Sequence, residues 1–294
     1  MSFSPYPTRS GFIFLGLAVV SGVLAIWLIN LLIKQQEPAQ LFTHLVGLLI
    51  VLALAGLALY WSLIAFQLDY HLNRNGLAIQ WGLSHQRIPI KAIENIVSGQ
   101  TIAAAFKGIT VDGLVLGWGN LTDNRQLKFR ASAPLEQSLL VMTMNQAYVI
   151  SPRRPEAFLQ AWQARREIGP TQQWSTGVYR RWPFNIPLLS DSLTWWLLGL
   201  SAALCLALLG YLSLNYANLP PSLPVHFNNL GRADRIADKA TLYILPAAGG
   251  LVLFFNALLG SIIYRWEKVG GYLLWGSSIV MQVCLWVAML TIAA

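Results

Sequence analysis

One short stretch carries the residue types that chemistry needs. It runs Leu223-Pro224-Val225-His226-Phe227-Asn228 and continues through Gly231, Asp234, Asp238 and Lys239. An imidazole such as that of His226 exchanges a proton near neutral pH or ligates a metal. With Asn228 or Asn229 and one carboxylate it would form a small polar site for an ion or a proton. Pro224 and its neighbouring prolines set φ and remove backbone donors, so this backbone reads as stiff and extended. Gly231 permits a turn. Asp234 and Asp238 lie four apart, as do Arg235 and Lys239, which is the spacing of one helical turn. One histidine and two aspartates fall short of the three protein ligands usual for zinc. Metal binding therefore stays an open reading beside a plainer one, a structured connector whose histidine bonds to backbone. The candidate loop residues are Pro224, His226, Phe227, Asn228, Gly231, Asp234 and Lys239. No catalytic or cofactor-binding residue is assigned, and no cofactor is expected.

Other motifs for chemistry are absent from the sequence. There is no HExxH and no GxxxxGK. Ser84 and Ser98 have no evident triad partners, and Gly117-Trp118-Gly119 lacks the flanks of a dinucleotide fingerprint. His44 reads as interfacial, while His71 and His85 sit beside strand or turn segments. Asp191, just before Ser192, reads as a helix N-cap, favourable with the helix dipole. Cys205 and Cys284 lie in apolar runs and read as buried thiols.

The elements that position these residues follow from composition. Of 294 residues, 11% are charged, against about 25% in soluble domains. The charge of +8 and the 12 tryptophans suit anionic lipid headgroups, so the lipid bilayer is the expected partner and nucleic acid is not. Residues 11–33, 41–66, 192–215, 242–264 and 270–291 are each apolar and long enough to cross a ~30 Å hydrocarbon core. The first two make a hairpin about the polar hinge 34–38. Gly47, Ala53, Ala55 and Gly56 suggest close helix approach there. Asn30, Asn256 and Gln282, polar residues within spans, should face other helices.

Between the second and third spans the composition changes. Residues 66–72 alternate at a period of two, 73–76 signal a turn, and 77–81 make the returning strand. An extended piece at 87–90 follows, then 91–97, which has no clear type. Glycine-rich loops surround 113–119. Residues 126–131, 138–143 and 147–150 read as strands, and 156–168 as an amphipathic helix begun at Pro155 and stopped by Gly169-Pro170. A terminal helix covers the open apolar end of a small curled sheet. Residues 169–191 are an aromatic-basic linker suited to the headgroup zone. The expected fold is α+β: five helical spans with an inserted small β domain closed by a C-terminal helix. The boundaries are 1–66 for the hairpin, 67–168 for the inserted domain, 169–191 for the linker, and 192–294 for a three-span domain with the polar loop 216–241.

Charge near the span ends sets the expected topology. Arg9, Arg74, Arg180, Arg181, Arg265 and Lys268 would be cytoplasmic. Lys34, Arg232, Arg235 and Lys239 would be outside, with Glu37, Asp234 and Asp238 beside them. The N-terminus and residues 67–191 are then cytoplasmic, and the loop 216–241 and the C-terminus are outside.

Two resemblances add to this. Leu223-Pro224-x-His226-Phe227-Asn228-x-x-Gly231-x-x-Asp234, with Lys239 downstream, resembles a short domain of unknown function of bacterial membrane proteins, which also occurs in the sporulation-delaying toxin immunity family. It covers roughly residues 200–260. Tyr148-Val149-Ile150-Ser151-Pro152 with Pro155-Glu156-Ala157-Phe158 resembles the last strand and helix start of a bacterial pleckstrin-homology-like domain, over about residues 67–168. The resemblances imply a bacterial plasma-membrane protein with a cytoplasmic pleckstrin-like module, in a non-catalytic sensing, scaffold or immunity role. Residues 67–168 would dock a protein partner or the bilayer surface. Phosphoinositide binding is not carried over, because the loop 73–76 holds one arginine. The alternatives are a small-solute transporter or accessory, and a membrane enzyme using His226. The oligomeric state is left open.

Overall fold

The computed structural model describes residues 1–101, 104–121, 124–180, 186–227 and 233–293; the side chains of 101, 104–106, 180, 225–227, 233, 234 and 293 lie outside that description. The protein is α+β, with five long apolar helices and an inserted β domain. Two compact units contain it, residues 1–24 with 51–185, and 25–50 with 186–294.

The first helices are α1 (Ser10–Lys34) and α2 (Pro38–Gln67). They pack antiparallel, with Phe12 on Phe66 and Phe14 on Trp61 at ring separations of 5.1 and 5.2 Å. Ser62 Oγ donates to the Gly11 carbonyl at 3.0 Å. The close-approach residues differ in part from those expected. Ala58 and Ser62 are buried, whereas Ala53 and Gly56 are exposed. Asn30 also differs. It is exposed, and its amide returns to the Ile26 carbonyl of its own helix, which satisfies it without a partner helix.

The β domain has two sheets. The first contains β1 (Ser2–Phe3), β2 (Asp69–Leu72), β3 (Gly76–Trp81), β4 (Ser84–Pro89) and, late in the chain, β11 (Gly177–Arg180), in the order β1-β2-β3-β4-β11. The second contains β5 (Ile93–Ser98), β6 (Ala104–Val111), β7 (Leu114–Leu121), β8 (Gln126–Arg130), β9 (Leu139–Thr143) and β10 (Gln146–Ile150), in the order β5-β9-β10-β8-β7-β6. The β8–β10 pair is parallel and the others are antiparallel. Helix α3 (Pro155–Ile168) closes the domain. Its Phe158 and Trp162 enter a core with Tyr70, Leu77, Ile88 and Ile150. Phe14 of α1 and Ile64 of α2 join the same core. Strands β9 and β10 are buried on both faces. Val141 and Tyr148 face this core, and Leu140 and Val149 face a second cluster around Leu127 and Phe129.

Three segments depart from expectation, and a fourth, 91–97, gains a type. Residues 1–6, placed with the helical hairpin by the expected boundary 1–66, are part of the β domain. Ser2 pairs with His71 and Phe3 with Tyr70, Tyr6 N–H donates to the Ser151 carbonyl at 2.9 Å, and Phe3 packs edge-on against Phe158. Residues 113–119, around which glycine-rich loops were expected, lie mostly in β7, which pairs with β6 around Asp112-Gly113. Both turn residues have positive φ, 44° and 86°, as a two-residue hairpin of this kind requires. Asp112 also accepts from Thr8 Oγ1 at 3.0 Å and from the Arg9 N–H at the start of α1. Residues 91–97 form a short 3₁₀ turn and then β5. Residues 177–180, within the stretch read as linker, pair with β4, and Arg87 lies between the rings of Trp174 and Tyr179 at 5.3 and 4.4 Å. In addition, α2 runs to Gln67, so the strand expected from residue 66 starts at Asp69.

The second unit holds α4 (Ser192–Asn215), α5 (Ile244–Ile263) and α6 (Lys268–Ala293). Their packing depends on glycine. At Gly260 a side chain would begin 2.3 Å from Nε1 of the fully buried Trp275, so only glycine admits the indole. Gln282 is buried and donates to the Gly249 carbonyl at 2.9 Å, and Asn256 donates to Ser277 and Ser278 of α6 at 3.2 and 3.0 Å. The outward faces are apolar, with Trp196, Phe254 and Leu273 exposed. Cys284, expected to be buried, is on that outward face, while Cys205 is half-buried.

The loop 216–241 also differs. It contains a hairpin of β12 (Ser222–Phe227) and β13 (Ala233–Asp238). Asp234 and Asp238 are therefore in one strand and do not form a helical turn. Cross-strand pairing of Ser222 with Asp238 and Leu223 with Ala237 outcompetes the local helical spacing.

Candidate functional site

The candidate residues divide between the hairpin and its base. Pro224 is paired opposite Ile236, in a two-stranded ribbon where a proline leaves no central ladder bond unmade. In the backbone register His226 faces Arg235 and Phe227 faces Ala233, with irregularities on either side of His226. The side chains of His226, Phe227 and Asp234 lie outside the described part, as do Asn228 and Gly231 entirely. Among the described residues no three His, Cys, Asp or Glu side chains gather as a metal site would require.

Lys239 is the candidate residue with defined side-chain contacts. Its Nζ donates to the carbonyls of Tyr216 at 2.9 Å and Leu219 at 3.4 Å, and it lies 4.5 Å over the Tyr216 ring. Its own N–H donates to the Pro221 carbonyl at 3.1 Å. Asp238 accepts from the Ala240 N–H at 2.7 Å and caps the 3₁₀ turn that leads into α5. Leu223 anchors the ribbon in a core with Leu208, Leu212, Leu242, Leu285 and Met289. The hairpin is thus clamped to the end of α4 at its base. A recess of about 790 Å³ opens beside the clamp, lined by Lys239, Tyr216 and Tyr243, by Ser213 and Leu209 of α4, and by Glu37 and Phe42 at the start of α2.

The opposite end of α4 carries a second polar cluster. Asp191 Oδ1 accepts from the Leu193 N–H at 3.0 Å, the N-cap expected from the sequence. Its Oδ2 accepts from Tyr264 at 2.7 Å and also from Tyr272. The phenol of Tyr272 first, then that of Tyr264, holds the carboxyl below the usual carboxylate range. The same bond pushes the Tyr264 phenol up. These partners were not foreseen. The available signal was a tyrosine on each side of the charged turn 265–268. The 24 residues of α4, roughly 36 Å of helix, separate Asp191 from the strand carrying His226, so the two cannot share one reaction.

In the β domain, a groove of about 980 Å³ runs between residues 1–4 and α3. Its charged lining is Arg153, Arg154 and Arg165, with Phe3, Ala157 and Ala161 among the remaining wall. Arg153 and Arg154 are exposed and Arg165 is half-buried, its Nη1 on the Ala161 carbonyl at 2.8 Å. No carboxylate is among the described lining residues.

Residues 68–166 match a family model described as a bacterial PH domain, and residues 203–250 match one described as a domain of unknown function, DUF1648. No curated protein and no solved structure matches the chain. The PH match stops short of β1 and β11, which belong to the same sheet. Five helices are long and apolar enough to cross a membrane. The chain is a multi-pass membrane protein that carries a bacterial PH-like domain and a DUF1648 domain.

Proposed function

We propose that the protein is a non-catalytic sensor or scaffold of the bacterial plasma membrane whose PH-like domain docks an acidic protein segment. The observation that carries this is the groove between residues 1–4 and α3, with three arginines and no carboxylate among its described lining. Arginine forks pair bidentately with carboxylates, and a concave groove takes a protruding segment better than a flat bilayer. An immunity role fits the DUF1648 match over residues 203–250 as one form of such a sensor. The domain boundaries at residues 66, 168 and 191 are part of the same proposal, with β1 and β11 added to the domain from outside them.

The proposed orientation keeps residues 1–9 and the PH-like domain cytoplasmic, and the hairpin and C-terminus outside. Pairing of β1 with β2 supports the shared side, since the chain must cross an even number of times between them. Single cysteines at Gln163 and Ser222, with Cys205 and Cys284 replaced, test it in intact cells. Both positions are exposed. Labelling at 222 with protection at 163 is expected, and the reverse pattern inverts the orientation.

Docking is tested with the full chain in nanodiscs of neutral lipid and a fluorescent acidic peptide. Saturable binding that R153E/R154E weakens about tenfold or more is expected, the worth of a charge-assisted hydrogen bond or two. Absence of peptide binding, with arginine-dependent binding to vesicles of anionic lipid instead, assigns the groove to the bilayer surface and overturns the partner reading.

A further inference from the structure

The recess beside Lys239 has an unusual pair of charges. Glu37 and Lys239 both line it, yet they form no ion pair with each other, and neither has one with any other described residue. Two of the three Lys239 ammonium protons go to the Tyr216 and Leu219 carbonyls, which leaves one N–H for a ligand. Ser213 and Tyr243, whose hydroxyls lie 3.4 Å apart, add polar groups to the same wall. Below them the wall is apolar, formed by Leu32, Phe42, Leu45, Leu209 and Leu214. Phe42 reaches this position because position 210 is glycine; a side chain there would begin 2.5 Å from its ring. All of these residues lie where α1 ends and α2 begins, where α4 ends, and just before α5. The recess is therefore polar at the span ends and apolar toward the spans.

We infer that this recess binds one zwitterionic phospholipid. Its acyl chain lies along the leucine wall, its phosphate accepts from the free Lys239 N–H, and its headgroup ammonium pairs with Glu37. A zwitterion fits because the lining offers one cation and one anion that are not spent on each other. A phosphate without an ammonium would leave Glu37 unmatched, and a neutral diacyl lipid would match neither. The inference rests on the multi-pass architecture and is independent of the arginine groove.

Native mass spectrometry of the full chain in mild detergent tests it, with phosphatidylethanolamine, phosphatidylglycerol or diacylglycerol of the same acyl chains as probes. One phosphatidylethanolamine per chain is expected, retained about tenfold over diacylglycerol, as one charge-assisted hydrogen bond would give. Glu37→Gln should lower phosphatidylethanolamine retention to the level of phosphatidylglycerol, because it removes the ammonium's partner and leaves the phosphate contact. Lys239→Met should lower both phospholipids, and Lys239→Arg should restore them. Leu214→Trp, at an exposed wall position, should exclude all three by filling the recess. Equal retention of diacylglycerol and phosphatidylethanolamine overturns the inference. So does an unchanged preference in Glu37→Gln, or retention of both phospholipids by Lys239→Met as complete as by Lys239→Arg.

Discussion

Tyr70 and Asp191 each gather a cluster of hydrogen bonds, in different surroundings. In the PH-like domain, Tyr70 donates to the Arg130 carbonyl at 2.7 Å and accepts from the Ser151 N–H at 3.0 Å. Ser151 Oγ accepts from the Ser132 N–H at 2.7 Å, and Ser132 Oγ donates to the Tyr6 carbonyl. Burial pushes the Tyr70 phenol well above its ordinary pKa, so this cluster is neutral throughout the physiological range. In the helical unit, Asp191 is an anion held by two phenols and one backbone N–H. The β domain joins strands distant in sequence through neutral groups. The bundle joins three helix ends through one charge and otherwise packs by close fit at glycine. The first should be insensitive to acid and the second sensitive to it.

The largest expected effect is in the close-fit region. Gly260→Val places methyls where the Trp275 indole now lies and should cost about 3 kcal/mol, the upper range of overpacking. Hydrogen exchange should rise across α5 and α6 and stay unchanged in β2 and β10. Faster exchange in both units would dissolve the distinction between them. Next is Tyr70→Phe, which leaves the buried Ser151 N–H and Arg130 carbonyl short of a partner and should cost about 1–3 kcal/mol. Thermal unfolding followed by exchange should locate the loss in the β domain alone, equally at pH 4 and pH 7.

The smallest effect is read as a pH slope. Asp191 has a folded pKa below the unfolded value of about 3.9. Its contribution is complete above that value and is lost as pH falls through the lower folded pKa. The wild-type bundle should lose thermal stability below about pH 4, and Asp191→Asn should reduce that slope while keeping the cap acceptor for Leu193. An identical slope in the variant would remove the charge from the comparison.

The same contrast explains what could be read in advance. The spans were legible because length and apolarity alone define them. Strands β2, β3, β8, β9 and β10 were legible from alternation and from apolar runs bounded by turns. Strands β6 and β7 were hidden by Gly108, Gly117 and Gly119, which blur alternation, although Asp112-Gly113 was a readable turn signal. β1 and β11 are too short to announce themselves, and they exist only through pairing with strands 67 or more residues away. At the candidate site, the extended backbone at Pro224 was legible. The Lys239 clamp was not, because its acceptors are backbone carbonyls 20 and 23 residues earlier. Asp191 disclosed its cap, a contact two residues away, but not its phenols, which are 73 and 81 residues away.

The pairing of Ser2 and Phe3 with β2 has a consequence for biogenesis. These residues precede α1 and α2 in the chain, yet the strand that receives them follows both. The sheet stays one strand short until the hairpin has gone across the bilayer and come back. A chain that inserted one helix and missed the other would strand Ser2 and Phe3 on the wrong side, with Phe158 lacking its edge-on neighbour. Closure of the domain therefore requires that both of the first two spans have crossed.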